Sequence, residues 1–194
     1  MVCFALGNPG KKYALTRHNI GFMVADALAN QLGKKFKTDS GCQWLTKEIG
    51  EKEMVVVKPL LYMNNSGIVV KEFLRQTTDY FEHPAVRQFI VVCDDFALPF
   101  GRIRIRERGG DGGHQGLASI IHHLATNHFP RLRIGIGNPL PGLTPSDYVL
   151  ANFTKEELIL LPEIIERACA ALFCIFEQGI KKAMTLYNSP SQAD

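Results

Sequence analysis

The sequence lacks the features that mark several large classes of protein. Its uncharged apolar runs, of which Phe89 to Cys93 is an example, are too short to cross a bilayer, and the N-terminus carries no basic segment followed by a signal-type core. Its five cysteines show no CxxC spacing, which argues against both a disulfide framework and a zinc site. These absences predict a cytosolic protein with reduced, mostly buried thiols and no membrane segment.

Motifs for nucleotide and metal cofactors are also missing. The glycine-rich loop from Gly109 to Gly116 lacks the GK[ST] ending of a Walker loop and does not follow the first strand, as a dinucleotide-binding loop does. There is no HExxH motif, and the adjacent His122 and His123 point to different faces of a helix. The carboxylates Asp94 and Asp95 leave Mg²⁺-dependent phosphoryl transfer open as a rival function, but no cofactor or metal is expected.

The composition is that of an ordinary globular domain. A length of 194 residues with 46% apolar and 21% charged residues is enough for one domain with a full core. Strand-like apolar segments alternate with amphipathic helical ones, beginning with a strand from Val2 to Leu6 and a helix from Ile20 to Leu32. This order predicts a single α/β domain over residues 1–188, with a twisted, mixed and mainly parallel sheet and helices on both faces. Residues 189–194 are predicted to be a frayed tail.

Local signals place the ends of several elements. Ser66 is expected to cap the helix that follows it, and Thr154 to Glu157 matches a capping box at the start of a C-terminal helix. Pro139, Pro141, Gly142 and Pro145 predict an irregular and mobile connection, which is a candidate lid.

Polar side chains follow several of the predicted strands. In open α/β sheets, ligands bind outside the carboxyl ends of the strands, so the loops that carry Asn8, His18, Asn64 and Asp94 are expected to meet in one cleft. This set contains an imidazole, a carboxylate and carboxamides but no obvious nucleophile. The combination favours direct attack by water, assisted by a general base.

Each of these side chains has a candidate role. The positive end of a helix dipole favours the neutral ring of His18, and Asp94 can accept its N–H and leave the other nitrogen as the base. Asn8 and Asn64 can donate hydrogen bonds to a developing oxyanion. The alternatives are local: a histidine that caps the helix or fills a gap beside it, and asparagines that serve turns.

Three apolar or aromatic residues lie close to these positions in the sequence. Met63 offers an adaptable surface to a variable side chain, or is simply part of the core. Tyr13 and Tyr62 suit stacking on a base or sugar, or packing against a loop.

The basic residues are unevenly placed although the formal net charge is only +3. In an extended strand, Arg102, Arg104, Arg106 and Arg108 share one face and isoleucines the other, and the segment from Arg131 to Ile136 repeats the pattern. These are either two half-buried strands with a solvated charged face or part of a phosphate-binding surface.

Four motifs in the same order resemble those of the bacterial peptidyl-tRNA hydrolases, and together they cover nearly the whole chain. They are Gly7-Asn-Pro-Gly10 with Tyr13 and Thr16-Arg-His-Asn19; Tyr62-Met-Asn64 with Ser66-Gly67; Asp94-Asp95 with Leu98-Pro99; and Gly112-Gly-His-Gln-Gly116 followed by Arg131-Leu-Arg-Ile-Gly-Ile-Gly137.

The resemblance implies a monomeric α/β enzyme without metal that cleaves the ester between a peptide and the 3′ ribose of tRNA. It implies that His18 is the general base with Asp94 as its partner, and that Asn8 helps to distinguish N-blocked from free aminoacyl-tRNA. It implies a site for the tRNA 3′ end and a clamp for its 5′ phosphate. The residues concerned are Tyr13, Tyr62 and Asn64 for the acceptor end, and Arg106 and Arg133 for the phosphate. Met63 and Gln115 are further candidate substrate-binding residues.

The sequence departs from the family pattern at two places. The family usually has His-Asp before its Leu-Pro turn and an asparagine in the glycine loop, where this chain has Cys93-Asp94 and Gln115. The extra methylene of Gln115 moves its amide by roughly 1 Å, and misplacement of that size can be costly in catalysis. The role of Gln115 is therefore left open, and a catalytically silent relative that binds RNA or a protein remains the alternative function.

Overall fold

The computed structural model describes residues 1–39, 41–80, 89–139 and 142–189. Within them, seven strands form one sheet, and α-helices pack against it. The strands are β1 (Val2–Ala5), β2 (Lys37–Asp39), β3 (Cys42–Ile49), β4 (Lys52–Pro59), β5 (Phe89–Asp95), β6 (Ile103–Arg106) and β7 (Arg131–Gly135). The helices are α1 (Ile20–Leu32), α2 (Ser66–Tyr80), α3 (Gln115–Leu124), α4 (Pro145–Leu150), α5 (Lys155–Gln178) and α6 (Ile180–Tyr187).

The sheet is mixed, with a parallel centre. Its strand order is β2-β3-β4-β1-β5-β7-β6. The four central strands β4, β1, β5 and β7 run parallel, whereas β2, β3 and β6 pair antiparallel towards the two edges. The predicted α/β class and mixed, mainly parallel sheet are confirmed. No described helix combines the length and apolar character that a membrane span requires.

The central strand β1 divides the core into two layers. All four of its residues are buried, and successive side chains point to opposite faces of the sheet. Cys3 and Ala5 pack on one face with buried residues of α1, α5 and α6. Val2 and Phe4 pack on the other face with α2 and α3. Helices therefore cover both faces, as predicted.

The first turn of α1 lies directly on the carboxyl ends of β1 and β5. A Cβ added to Gly21 would lie 2.8 Å from the backbone nitrogen of Leu6 and 2.8 Å from the carbonyl oxygen of Val92. Only glycine permits this approach without displacing the helix. The close packing brings the residues just before α1, among them His18, against the strand ends.

Two of the local predictions have different outcomes. The capping box at Thr154 and Glu157 is confirmed, with both of its hydrogen bonds present. The prediction that Ser66 caps the next helix is wrong: a single 3-10 turn, Met63–Asn65, precedes α2, so that Ser66 is itself the first α-helical residue. Its hydroxyl is buried and has no hydrogen-bond partner among the described residues.

Parts of two predictions lie outside the described residues. In the candidate lid these are residues 140 and 141, and in the predicted tail they are residues 190–194.

Candidate active site

A cleft of about 520 Å³ opens at the carboxyl ends of the central strands. Its lining includes most of the residues predicted to form one site: Asn8, Tyr13, His18, Tyr62, Met63, Asn64, Asp94, Gln115 and Arg133. Arg106 is the one predicted site residue that does not line it. The expected meeting of these loops is therefore observed.

His18 is held in a single 3-10 turn, Arg17–Asn19, immediately before α1. The turn is fastened by Arg17, whose guanidinium pairs with Glu157 at 2.7 Å and lies 4.5 Å from the ring centroid of Tyr148. The same guanidinium donates to the carbonyl oxygen of Asn152. These buried contacts fix the backbone of the turn and leave little freedom to His18.

His18 and Asp94 form a buried hydrogen-bonded pair. His18 Nδ1 lies 2.8 Å from Asp94 Oδ1, and the two side chains are only 9% and 2% exposed. An ionised carboxylate only accepts hydrogen bonds, so Nδ1 carries the proton and Nε2 of the neutral ring is left as a base. The sequence prediction that these two residues meet is confirmed.

A second imidazole contacts the same carboxylate oxygen. His114 Nε2 lies 3.0 Å from Asp94 Oδ1, and the rings of His18 and His114 are 4.8 Å apart between centroids. His114 caps α3, because its Nδ1 accepts hydrogen bonds from the backbone N–H groups of Gly116 and Leu117 at 3.1 and 3.2 Å. Sequence reasoning did not include His114 in the site.

The two imidazoles determine the charge of Asp94. Burial by itself would raise the pKa of this carboxyl group, but attraction to His18 and His114 and the hydrogen bonds from their rings outweigh burial and hold the pKa well below its usual range. Asp94 is therefore ionised at neutral pH. His18, Asp94 and His114 also form a group of metal-ligating atom types within 4.8 Å of one another, but the spacing of each ring nitrogen from Oδ1 is that of a hydrogen bond.

Asn8 joins the loops that follow β1 and β4. Its backbone N–H donates to Asn19 Oδ1 at 2.8 Å, and its carbonyl oxygen accepts from Asn19 Nδ2 at 2.9 Å. Its side-chain oxygen accepts from the backbone N–H of Met63 at 2.8 Å. This bond orients the amide, and within the described part of the chain Nδ2 makes no hydrogen bond, so that it is a donor at the cleft.

The outer wall of the cleft is aromatic and polar. Tyr62 is 52% exposed and meets Tyr13 edge to face, with ring centroids 6.3 Å apart. The backbone of Tyr62 has φ 58° and ψ 160°, which is a region that essentially only glycine enters without strain. Asn64 and Gln115 are exposed at the cleft, and Gln115 is the first residue of α3.

The arginines occupy two neighbouring places. Arg133 lines the cleft and pairs with Asp95 at 2.7 Å. In the antiparallel register of β6 and β7, Arg133 lies opposite Arg104, whereas Arg106 lies opposite Arg131. Arg104 and Arg106 line a separate groove of about 370 Å³ together with Arg102 and Asn188.

Arg131 departs from the predicted solvated arginine face. It is 1% exposed and donates to the carbonyl oxygens of Gly110 and Asn127 at 3.0 and 2.9 Å. It therefore anchors the glycine-rich loop. The alternation of charged and apolar residues is the same for Arg131 and Arg133, and so it could not separate the anchoring arginine from the one at the cleft.

Two further parts of the site were not predicted from the sequence. The first is His114: the sequence places it in the glycine-rich loop but does not indicate its contact with Asp94. The second is α4, whose residues Pro145, Ser146, Val149 and Leu150 line the cleft. The prediction that Pro145 belongs to the irregular connection is wrong: it is the first residue of α4, where the missing N–H of a proline is tolerated and Thr144 caps the helix. No signal in the sequence indicated that this helix faces the site.

The chain was compared with known proteins. The family model described as peptidyl-tRNA hydrolase matches residues 2–194. A peptidyl-tRNA hydrolase of Thermotoga sp. (strain RQ2) is 43% identical over 189 residues, which are 97% of each chain. One from Fervidobacterium nodosum is 46% identical over 192 residues, covering 97% of this chain and 96% of the relative.

The chain is also similar to solved structures of peptidyl-tRNA hydrolases. The crystal structure of peptidyl-tRNA hydrolase from Acinetobacter baumannii superposes with a TM-score of 0.85 at 32% sequence identity, and the match covers 97% of this chain and 94% of that one.

Proposed function

Because the chain belongs to the peptidyl-tRNA hydrolase family, and is therefore a hydrolase of peptidyl-tRNA, we propose that His18 is the general base of the reaction and Asp94 its partner. The observation that carries this assignment is the buried contact of 2.8 Å between His18 Nδ1 and Asp94 Oδ1. It orients the ring and leaves Nε2 as the proton acceptor. General-base assistance of this kind contributes about 10²–10⁴ in rate.

The proposed reaction uses this geometry. His18 Nε2 takes a proton from a water molecule whose oxygen attacks the ester carbonyl carbon, and Asp94 stabilises the imidazolium that forms. When the tetrahedral intermediate collapses, the C–O bond to the 3′ ribose breaks, and the same imidazolium returns the proton to the departing ribose oxygen. The peptide leaves with a free carboxylate, and the tRNA leaves with its 3′ hydroxyl restored.

Asn8 Nδ2 is proposed as the donor to the oxyanion. Its amide is held by Met63 N–H at the oxygen end, so that the amino end stays available without reorganisation during the reaction. Asn64 is a second donor at the exposed rim of the cleft. Neither carboxamide carries a charge that would compete with His18 for the proton of water.

The tRNA is proposed to approach across the exposed wall and the arginines. Tyr13, Tyr62 and Gln115 line the cleft, which supports entry of the 3′ end along this wall. Stacking of a base on an exposed aromatic ring does not depend on the base sequence. For the 5′ phosphate, the register adds Arg104 to the predicted Arg106 and Arg133, because Arg104 faces Arg133 directly. The charges of Arg106, Arg133 and Arg102, together with some burial, lower the pKa of Arg104, and a bound phosphate would relieve this repulsion.

The remaining assignments belong to the same proposal. Residues 1–188 act as one domain and as a monomer in the cytoplasm, where translation provides the substrate. Hydrolysis needs no metal, because a histidine base and carboxamide donors are sufficient for attack by water on an ester. No observation favours the alternative of a catalytically silent relative.

The decisive experiment measures turnover of an N-acylated aminoacyl-tRNA by the wild type and by His18→Ala, each with and without a chelator. Wild-type turnover is expected to survive chelation, and His18→Ala is expected to lose about 10²–10⁴ in kcat while tRNA affinity changes little. A fully active His18→Ala variant would overturn the assignment of the base, and loss of wild-type activity on chelation would overturn metal independence.

A further inference from the structure

His114 connects two parts of the site that are otherwise separate. One ring nitrogen contacts the carboxylate that holds the proposed base, and the other accepts two backbone N–H groups at the start of α3. The residue is buried, and its ring lies beside that of His18. A cap alone requires only one acceptor atom, which a serine or asparagine provides as well as an imidazole.

The hydrogen bonds fix the tautomer of His114. Because Nδ1 accepts from Gly116 N–H and Leu117 N–H, it carries no proton, and the single proton of the neutral ring is on Nε2. Nε2 therefore donates to Asp94 Oδ1. Protonation of Nδ1 would break both capping bonds and place a cation at the positive end of a ten-residue helix.

Asp94 Oδ1 consequently accepts from two donors at once. One is His18 Nδ1 at 2.8 Å and the other is His114 Nε2 at 3.0 Å. A second donor fixes the rotation of the carboxylate about its Cβ–Cγ bond. It also weakens the attraction of the carboxylate for protonated His18, because an oxygen that accepts from two N–H groups attracts a neighbouring imidazolium less than an oxygen that accepts from one.

We propose that His114 is a positioning residue that acts on the base through Asp94: it fixes the orientation of the carboxylate and weakens the attraction of the carboxylate for the imidazolium that His18 becomes when it accepts a proton. This inference rests on the proposed role of His18 in the hydrolysis of peptidyl-tRNA.

Several of the other charged groups near the three side chains are matched in ion pairs. On β5 and β7, Asp95 and Arg133 pair with each other at 2.7 Å, and Arg17 in the turn pairs with Glu157. Cys93 and Arg131 lie on the same two strands, and Asp111, Tyr13 and Tyr62 line the cleft. Further titratable groups on the surrounding elements are His122 and His123 of α3, Asp147 and Tyr148 of α4, and Lys11 and Lys12 in the turn before Tyr13. The lining residues of α4 carry no charge.

The variant His114→Asn separates the two contacts. An asparagine oxygen can take the place of Nδ1 as the helix cap, but the shorter side chain does not reach Asp94. His122→Asn, on the exposed face of the same helix, is the matched control. For wild type, both variants and His18→Ala, kcat/KM would be measured against pH together with the thermal midpoint.

We expect His114→Asn to fold, with the acid limb of its kcat/KM profile moved to higher pH by roughly 0.5–1 unit, since one hydrogen bond to Asp94 is lost. The control should coincide with the wild type. A uniform fall in kcat with an unmoved limb, or a limb moved to lower pH, would overturn the inference while leaving the proposed function intact. An active His18→Ala variant would overturn the proposed function itself.

If His114→Asn does not fold, nitrogen NMR of the wild-type imidazoles provides the test. The inference requires His114 to remain the Nε2–H tautomer throughout the pH range in which His18 titrates. A proton on Nδ1, or protonation of His114 before His18, would overturn it.

Discussion

The substitution Asp94→Asn removes one charge from the centre of the site and keeps its shape. Asparagine presents an oxygen in the place of Asp94 Oδ1, which can still accept from His18 Nδ1 and His114 Nε2. In the proposed mechanism, what is lost is the attraction between the carboxylate and the imidazolium that forms when His18 takes a proton from water. The variant therefore tests electrostatic stabilisation separately from positioning.

The magnitude follows from the separation and the burial. At 2.8 Å, two unit charges attract by about 6 kcal/mol at the effective dielectric constant of 20 that suits protein sites. The hydrogen bond that remains to the neutral amide recovers part of this, so we expect the barrier to rise by about 3–5 kcal/mol. In kcat this corresponds to a loss of about 10²–10⁴.

The assay is single-turnover hydrolysis of an N-acylated aminoacyl-tRNA at saturating enzyme, with tRNA affinity measured separately. Affinity should be unchanged, because Asp94 is buried beneath the cleft. A kcat within threefold of the wild type would refute the electrostatic reasoning, and an equal loss in affinity would indicate a distorted site instead.

The same variant has a consequence for stability at acid pH. The folded-state pKa of Asp94 is held below its unfolded value, so the ionised carboxylate contributes stability that is present above about pH 4 and is lost as the pH falls through the lower folded value. Denaturant titrations should therefore show the wild type losing stability relative to Asp94→Asn below about pH 4. A constant difference from pH 6 to pH 2 would contradict this sign.

Three further predictions concern the surroundings of the site. Tyr62→Gly should be more stable than Tyr62→Ala by about 1 kcal/mol in urea unfolding, because both variants lose the ring but only glycine adopts φ 58° without strain. If the alanine variant is the more stable, as is usual, the backbone of Tyr62 is not strained. Arg104→Gln should lower the slope of log affinity for tRNA against log salt by about 1. The control Lys37→Gln, at the opposite edge of the sheet, should leave the slope unchanged. Equal slopes for the two variants would show that Arg104 does not contact a phosphate. Glu157→Gln should destabilise the fold by about 2 kcal/mol, because it keeps the capping box but leaves the buried Arg17 without its carboxylate partner. An unchanged midpoint of urea unfolding would contradict this prediction.

The elements of the central sheet were predictable because their residues face a single environment. The apolar run that begins at Phe89 is buried on both sides, and the carboxylate that ends it falls at the carboxyl edge of the sheet, where Asn8 and His18 also arrive. The order of the strands is enough to predict that such loops come together, and the side-chain rotamers need not be known. This is why the contact between His18 and Asp94 was predictable from the sequence.

Contacts that depend on loop geometry were not predictable in the same way. His114 reaches Asp94 because two positive-φ glycines, Gly112 and Gly113, turn the chain back towards β5 before α3 begins. Arg131 is covered by the glycine-rich loop, whereas Arg133 is left at the cleft. The failed prediction for Ser66 has a similar origin, because a 3-10 turn before α2 moved the helix start by one residue. Periodicity reports which face a residue lies on, and these outcomes depend on how loops pass over that face.

The long-range contacts that hold the turn Arg17–Asn19 also set an order of events during synthesis of the chain. Arg17 pairs with a residue 140 positions further along, and Thr16 forms an isolated bridge with Asn152. Contacts of such long sequence separation form only after the intervening chain exists and has closed the loop. Most of the polypeptide must therefore be made before His18 acquires a fixed position. A growing chain that stops short of α5 has the histidine but not the site, so it has no means of cleaving the ester bond that holds it to its own tRNA.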